Sequence, residues 1–342
     1  MAQEINLPDF DSLPKVEGMP QGCAWGIFDK DGEKDVFGTL NLLTPSVVKA
    51  AAAEVQDGVT ISLNWGIDSF KSPIIGRKLL SHKVLCSKDK PNWKWISFDD
   101  EIEFNTQCSS QWDSLCHFAH QPTGLFYNGA QPSADDLSDP EKALQFPTLN
   151  RWHTRGGVVG RGVLIDYKAY ADANNISYSP FESHAIPIST IQSIAESQGT
   201  TFHPGDILLV RSGLTEAMEG LDADQQTAAM TNPTNGGCVG VEGTVEAAKW
   251  FWNQHFAAVA GDMTAFEVVD GAKLFSGLDP AEALVLHQYF LGMFGMPIGE
   301  LWDLKALSKA CAERKKWTFL LTSVPLNYSG AVGSPPNALA IF

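Results

Sequence analysis

Four consecutive apolar residues, Ile207 to Val210, stand between the glycines of GDILLVRSG, residues 205–213. A run this short and this unbroken suits a strand buried on both faces, and such a strand needs a covering layer on each side. AAVAGD (257–262) and GGVVGRGVLIDY (156–167) read the same way. Helical patterns lie between and around them. TPSVVKAAAAEVQDG (44–58) has Thr44 as N-cap, Pro45 at the first helical position and Gly58 past the end. ISTIQSIAESQG (188–199), GTVEAAKWFWNQHF (243–256) and DLKALSKACAERKK (303–316) continue the series. DPAEALVLHQYFLGMFG (279–295) carries the fullest set of signals: Asp279 as cap, Pro280 first, Glu282 reaching back, Gly295 at the end.

Earlier stretches are different. VTISLNW, Val59 to Trp65, alternates as a strand, and KWISFDDEIEFN (94–105) suggests a strand in a hairpin. WTFLLTSVPL (317–326) reads as a closing strand. Alternating strands and helices with antiparallel additions predict an α/β fold with a mixed sheet and flanking helices. No repeat, low-complexity linker or boundary divides the 342 residues, so the expectation is an N-terminal arm, 1–24, and a single domain, 25–342. The arm is expected to lie on the surface or on a partner subunit.

A net charge of −16 argues against nucleic acid, because an acidic surface repels phosphate. It also disfavours anionic membranes. No run of roughly 18 apolar residues is present, and MAQEINLPDFDSLPKVEG lacks the basic start and apolar centre of a signal peptide. These features predict a cytosolic chain. The six cysteines form no CxxC pair and read as reduced, buried thiols. GxSxG, P-loop and HExxH motifs are absent.

The chemistry concentrates in QCSSQWDSLCHFAH, residues 107–120. Gln107, Gln111, Asp113 and His117 are spaced four, two and four apart. On one extended strand they would share a face, but ten residues would spread them over roughly 33 Å. A helix would align them only in pairs. A joint site therefore requires a bend, and Ser109 and Ser110 permit one. Asp113 and His117 are good ligands for zinc or manganese. Further ligands must come from elsewhere, and His287 and Glu300 in LHQYFLGMFGMPIGE (286–300) are the best candidates, with GMPIG supplying the turn between them. The alternative is a plain hydrogen-bonded Asp–His pair and a core histidine. Trp112 is either a substrate contact or a core residue. His82 and His120 read as structural.

The motif resembles the signature of the cyclase family, the group that includes bacterial kynurenine formamidases and isatin hydrolase. That signature, His-x-Gly-Thr-His-x-Asp-x-Pro-x-His, falls on Gln107, Ser109, Ser110, Gln111, Asp113, Leu115 and His117. GDILLVRSG, LHQYFLGMFGMPIGE and VPLNYSGAVGSPPNALAIF (324–342) follow in the family's order. GTLNLLTP (38–45) and the Gln-Trp-Asp of 111–113 are similar to a longer branch. The likeness runs from about Trp25 to the C-terminus. It implies a swivelling β/β/α fold and a homodimer or homotetramer. In two-metal members the first two histidines and the aspartate hold one ion. The aspartate, last histidine, later histidine and glutamate hold the other.

Here Gln107 and Gln111 replace both histidines of the first site. The resemblance then leaves one site, Asp113, His117, His287 and Glu300, for one divalent ion, zinc or manganese. It implies a metal-assisted hydrolase of a cyclic amide, formamide or lactone. His117, Asp113 and Glu300 would be catalytic, and Gln107, Ser110, Gln111 and Trp112 would contact a small aromatic or cyclic substrate. Two alternatives stay open. One is a lyase or cyclase of a secondary metabolite, needing no activated water and perhaps no metal. The other is a non-catalytic small-molecule binding protein.

Overall fold

Ile207–Arg211 and Ala258–Gly261 are buried at every position, and both sit in the middle of one large sheet. The computed structural model describes residues 7–73, 76–231, 237–271, 282 and 284–342. In chain order the strands are β1 (Thr60–Ser62), β2 (Ser81–Cys86), β3 (Phe98–Glu103), β4 (Gln111–Asp113), β5 (Val158–Asp166), β6 (Ala185–Ile186), β7 (Ile207–Arg211), β8 (Gly237–Cys238), β9 (Gly240–Val241), β10 (Ala258–Gly261), β11 (Val269–Asp270), β12 (Ile298–Glu300), β13 (Thr318–Ser323), β14 (Gly333–Ser334) and β15 (Ala338–Ile341).

Nine strands form the main sheet in the order β1-β15-β13-β5-β7-β10-β12-β4-β14. The inner strands β5, β7, β10 and β12 run parallel. Antiparallel strands extend both flanks: β13, β15 and β1 on one side, β4 and β14 on the other. The expected mixed sheet is thus present, with the two-face burial of its apolar strands as the cause.

Local chemistry sets the helix starts. Thr44 Oγ1 accepts from Val47 N at 3.4 Å, and Thr244 Oγ1 accepts from Ala247 N at 3.0 Å. The Pro45–Ala52 helix packs on β5. The strand expected over Val59–Trp65 stops at Ser62. Asn64 replaces the ladder there: its side chain donates to Ala338 O at 3.2 Å and accepts from Ala338 N at 3.1 Å.

The helix carrying His287 departs from expectation. Asp279 and Pro280 lie outside the described residues, and Glu282 is exposed. Leu284 adopts a left-handed φ of 49°, so a continuous helix starts only after it, at Val285. From Gln288 to Phe294 the segment widens to a π-helix, and Gly295 ends it at φ 70°. Such widened turns recur at functional sites.

From Leu7 onward the arm lies on its own chain. Leu7, Phe10 and Leu13 are buried, Trp252 Nε1 donates to Pro8 O at 2.9 Å, and Phe10 N donates to Asn253 Oδ1 at 2.8 Å. Among the described residues no helix is long and apolar enough to cross a membrane. All six cysteines are unpaired.

Candidate metal centre

Asp113 on β4 and Glu300 on β12 belong to neighbouring antiparallel strands, with Ile298 opposite Asp113 and Glu300 opposite Gln111. Side chains two apart share a face of a strand, and directly opposed residues share it too. Gln111, Asp113 and Glu300 therefore project to one side of the sheet. Trp112 projects to the other. The bend expected at Ser109 and Ser110 is what turns the chain into β4. Ser109 Oγ donates to Gly66 O at 2.8 Å, and Ser110 Oγ accepts from Trp65 N at 3.1 Å. Ser110 thus fastens the motif to the Trp65–Gly66 segment instead of offering its hydroxyl to a ligand.

His287 arrives from the helical turn Val285–His287 that runs into the π-helix. Ligand atoms of Asp113, His287 and Glu300 lie within 4.8 Å of one another, and all three residues are buried. His287 Nε2 sits 3.1 Å from Glu300 Oε1. Its Nδ1 sits 2.9 Å from Glu267 Oε1. The Glu267 carboxylate also accepts from the backbone N–H groups of Leu286 at 2.9 Å and His287 at 2.8 Å. Glu267 therefore caps the helix and aims the imidazole at once, whereas the sequence placed the capping on Asp279 and Glu282, of which Asp279 lies outside the described residues. Gly240 and Gly243 make room for it: a Cβ at Gly240 would lie 2.2 Å from the Glu267 carbonyl carbon, and one at Gly243 would lie 2.7 Å from Glu267 Oε2.

Glu267 has no local sequence signal, being a single acid after Phe266 and 20 positions from its partner. Arg77 was equally invisible. Its Nη1 donates to Gln107 O at 3.0 Å, and it lines a cavity of about 20 Å³ with Phe70, Leu79, Gln107, Cys108 and Thr264. That volume is near the minimum for one water.

The two glutamines each satisfy a carboxylate. Gln107 Nε2 donates to Asp113 Oδ1 at 2.6 Å, and Gln111 Nε2 donates to Glu300 Oε2 at 2.5 Å. Each amide N–H is a neutral donor to a buried carboxylate. Gly333, opposite Asp113 on β14, leaves space for Gln107; a Cβ there would fall 2.7 Å from Gln107 Cγ. His117 stays outside the compact group of three. The Gln107 amide nitrogen lies 3.2 Å from both of its ring nitrogens. The four-ligand set expected from sequence is thus three converging side chains with His117 beside them, separated by Gln107.

Electrostatics mark the centre as a place for positive charge. Burial alone would push the His287 imidazole down. The hydrogen bonds it donates to Glu267 and Glu300 outweigh burial and raise it to about 10. Burial, followed by the Asp113 charge, raises Glu300 to about 7. Burial lowers His117 against the opposing pull of Asp113, which keeps it a neutral base. Asp113 Oδ2 and Gln111 Oε1 are buried with no hydrogen-bond partner among the described residues. Two carboxylates and one imidazole with an orphaned oxygen fit a divalent cation.

Trp112 is a core residue. It is fully buried, meets Trp302 edge-on at 4.9 Å and Trp152 at 5.9 Å, and its Nε1 donates to Ser323 Oγ at 2.9 Å. The strand pleat that sends Asp113 to the site denies Trp112 a substrate contact. Trp112→Ala should cost about 3–5 kcal/mol through its cavity, read as a lower urea midpoint with unchanged slope. His82 pairs with Asp100 at 2.6 Å on an exposed hairpin, and His120 bonds Thr123 Oγ1 at 2.9 Å. Both are structural.

Comparison with known proteins agrees with the geometry. Residues 45–268 match the cyclase family, whose description is "Putative cyclase". A crystal structure of a novel cyclase superposes with TM-score 0.76 at 29% identity, covering 94% of this chain and 99% of that one. Isatin hydrolase A from Ralstonia solanacearum shares the fold at TM-score 0.55 and 16% identity, with 87% and 97% covered. Isatin hydrolase A from Labrenzia aggregata, bound to benzyl benzoate, does so at 0.52 and 17%, with 88% and 98% covered. No curated protein matches the sequence. The mixed α/β architecture and the matched residues lead to one conclusion: this chain is a member of the cyclase family.

Proposed function

We propose that the chain is a hydrolase of a cyclic amide, formamide or lactone that works with a single divalent metal. The observation that carries this reading is the convergence of Asp113, His287 and Glu300 within 4.8 Å, with Asp113 Oδ2 unsatisfied. A divalent ion held by those three would supply Lewis acidity toward a carbonyl oxygen and acidify a water. The chain's own groups do the rest. Neutral His117 takes a proton at a ring nitrogen. Gln111 offers Oε1, the acceptor left free inside the site, to a substrate N–H. Glu267 holds His287 in place. Arg77 forms no ion pair among the described residues and borders the same cavity as Gln107. It provides a cation for an anionic substituent on the substrate.

The fold shared with isatin hydrolases supports testing isatin-like lactams first, then arylformamides and lactones. Reaction in H₂¹⁸O should place one heavy oxygen in the product carboxylate. A product without the label would move the assignment to the lyase or cyclase reading. Arg77→Ala should raise KM on the order of tenfold while kcat changes little, as expected for an interaction made equally in ground and transition states.

A further inference from the structure

Glycine aside, most left-handed positions among the described residues have a local cause. Five are Asn or Asp, whose short polar side chains accept that backbone. His255 and Lys315 stand just past helix ends. Three have no such cause: Phe266, Leu284 and Leu301, at φ 53°, 49° and 55°. For bulky side chains these angles are outliers, and they persist only where the surroundings enforce them. All three adjoin the centre along the chain. Phe266 precedes Glu267, Leu284 leads into the turn that bears His287, and Leu301 follows Glu300.

Leu301 shows what the angle does. Regular alternation along β12 would send Leu301 to the face of Trp112 and bring Trp302 back beside Glu300. The chain does the reverse. Leu301 lines the cavity with Arg77 and Gln107, on the side of the centre. Trp302 lies on the opposite face, where it meets Trp112 edge-on at 4.9 Å. A Cβ on Gly299, the residue paired with Trp112, would fall 2.8 Å from Trp302 Nε1. That Nε1 donates to Gln111 O at 3.0 Å. The turn is pinned to the end of β10, since Leu301 N donates to Met263 O and Trp302 N to Gly261 O, both at 3.0 Å. Burial of the Leu301 side chain completes the enforcement.

We propose that Leu301 is a positioning residue for Glu300: its enforced left-handed turn ends β12 where the carboxylate meets both His287 and Gln111. Glu300 Oε1 lies 3.1 Å from His287 Nε2, and Oε2 accepts from Gln111 Nε2 at 2.5 Å. Relaxation of residue 301 to extended backbone would swing its side chain toward Trp112 and draw Trp302 off Gln111 O. Glu300, the preceding residue, would turn with it. The inference rests on the reading of Asp113, His287 and Glu300 as a cation site.

Two pairs of variants test the turn. Leu301→Ala and Leu301→Gly both remove the side chain, but only glycine takes φ 55° without strain. Leu301→Met and Leu301→Ile both keep about the native volume, but a β-branched side chain tolerates that angle least. Zinc affinity, read by competition with a chelator, should be on the order of tenfold weaker in Leu301→Ala than in Leu301→Gly. The same ordering should set Leu301→Ile below Leu301→Met, and this pair decides if Leu301→Ala does not fold. A packing role alone would favour Leu301→Ala over Leu301→Gly, because glycine loses more chain entropy, and would treat the second pair alike.

A metal-free readout separates this proposal from the cation reading. In chelator-treated protein the His287 ring N–H bonded to Glu300 should give a far-downfield proton resonance, assigned by its loss in His287→Ala. It should persist in Leu301→Gly and Leu301→Met and broaden or vanish in Leu301→Ala and Leu301→Ile. A wild type that shows this pattern but binds no zinc removes the cation site and keeps the role of Leu301. A resonance unchanged within both pairs, or absent from the wild type, overturns the proposal. So does equal zinc affinity within both pairs, even where their urea midpoints differ.

Discussion

Protein purified without chelator should carry close to one equivalent of zinc or manganese, and Asp113→Ala or His287→Ala should carry none after the same preparation. Elemental analysis reads this directly. The expectation rests on charge. Asp113 and Glu300 bring two carboxylates into a buried centre, and burial has already raised Glu300 to about 7. Without an ion, the compensation comes from a proton held on His287 and from the Gln107 and Gln111 amides. A divalent cation would do the same work with two charges, and Asp113 Oδ2, which has no partner among the described residues, would be free to hold it. Losing a direct ligand should cost more than the roughly 10–100-fold typical of a supporting partner. Because the ion binds only the folded chain, saturating metal should also raise stability by about 2.7 kcal/mol at a hundredfold excess over Kd. A metal-free wild type with unaltered melting in added zinc and manganese would remove the hydrolase proposal.

Replacement of Glu267 should have the second-largest effect, and its two variants should separate two roles. Glu267→Ala orphans three buried donors at once: the N–H groups of Leu286 and His287, and His287 Nδ1. Truncating one partner of a buried charged pair costs about 3–5 kcal/mol. The loss should appear as a lower denaturant midpoint with unchanged slope. Glu267→Gln keeps one oxygen for the His287 N–H, leaves the Leu286 N–H facing an amide nitrogen, and removes the negative charge. It should lose less stability than Glu267→Ala while metal affinity falls about 10–100-fold. Equal loss of stability in both variants would show that Glu267 serves only as a cap. Full metal affinity in Glu267→Gln would show that it does not tune the imidazole.

The fold was largely legible because its strongest signals are local. Thr44 and Pro45 start a helix wherever they stand before an apolar repeat. Ile207–Val210 cannot be solvated without cost, so it becomes a central strand. A hairpin strand was expected within residues 94–105, but its register against β2 is visible only in three dimensions. The late helix was misread at its start. Its cap is supplied by Glu267 from a distant segment, and propensity at residues 279–282 carries no information about that.

The centre divides along the same line. Residue chemistry alone nominated Asp113, His117, His287 and Glu300, because carboxylates and imidazoles are what a hard or borderline cation binds. Chain order could not say which of them converge. The pairing of β4 with β12 decides that Asp113 and Glu300 share a face, and the same pleat removes Trp112 to the core. The position of Gln107 decides that His117 stands aside. Arg77 and Glu267 emerge only from the folded chain, since a charge acts over a few ångströms of space irrespective of the number of residues between partners. Thus the amino-acid order by itself determined which elements form and which side chains can bind a cation. Tertiary structure decided which of those side chains meet, because strand register and helix entry, set by long-range packing, place their atoms.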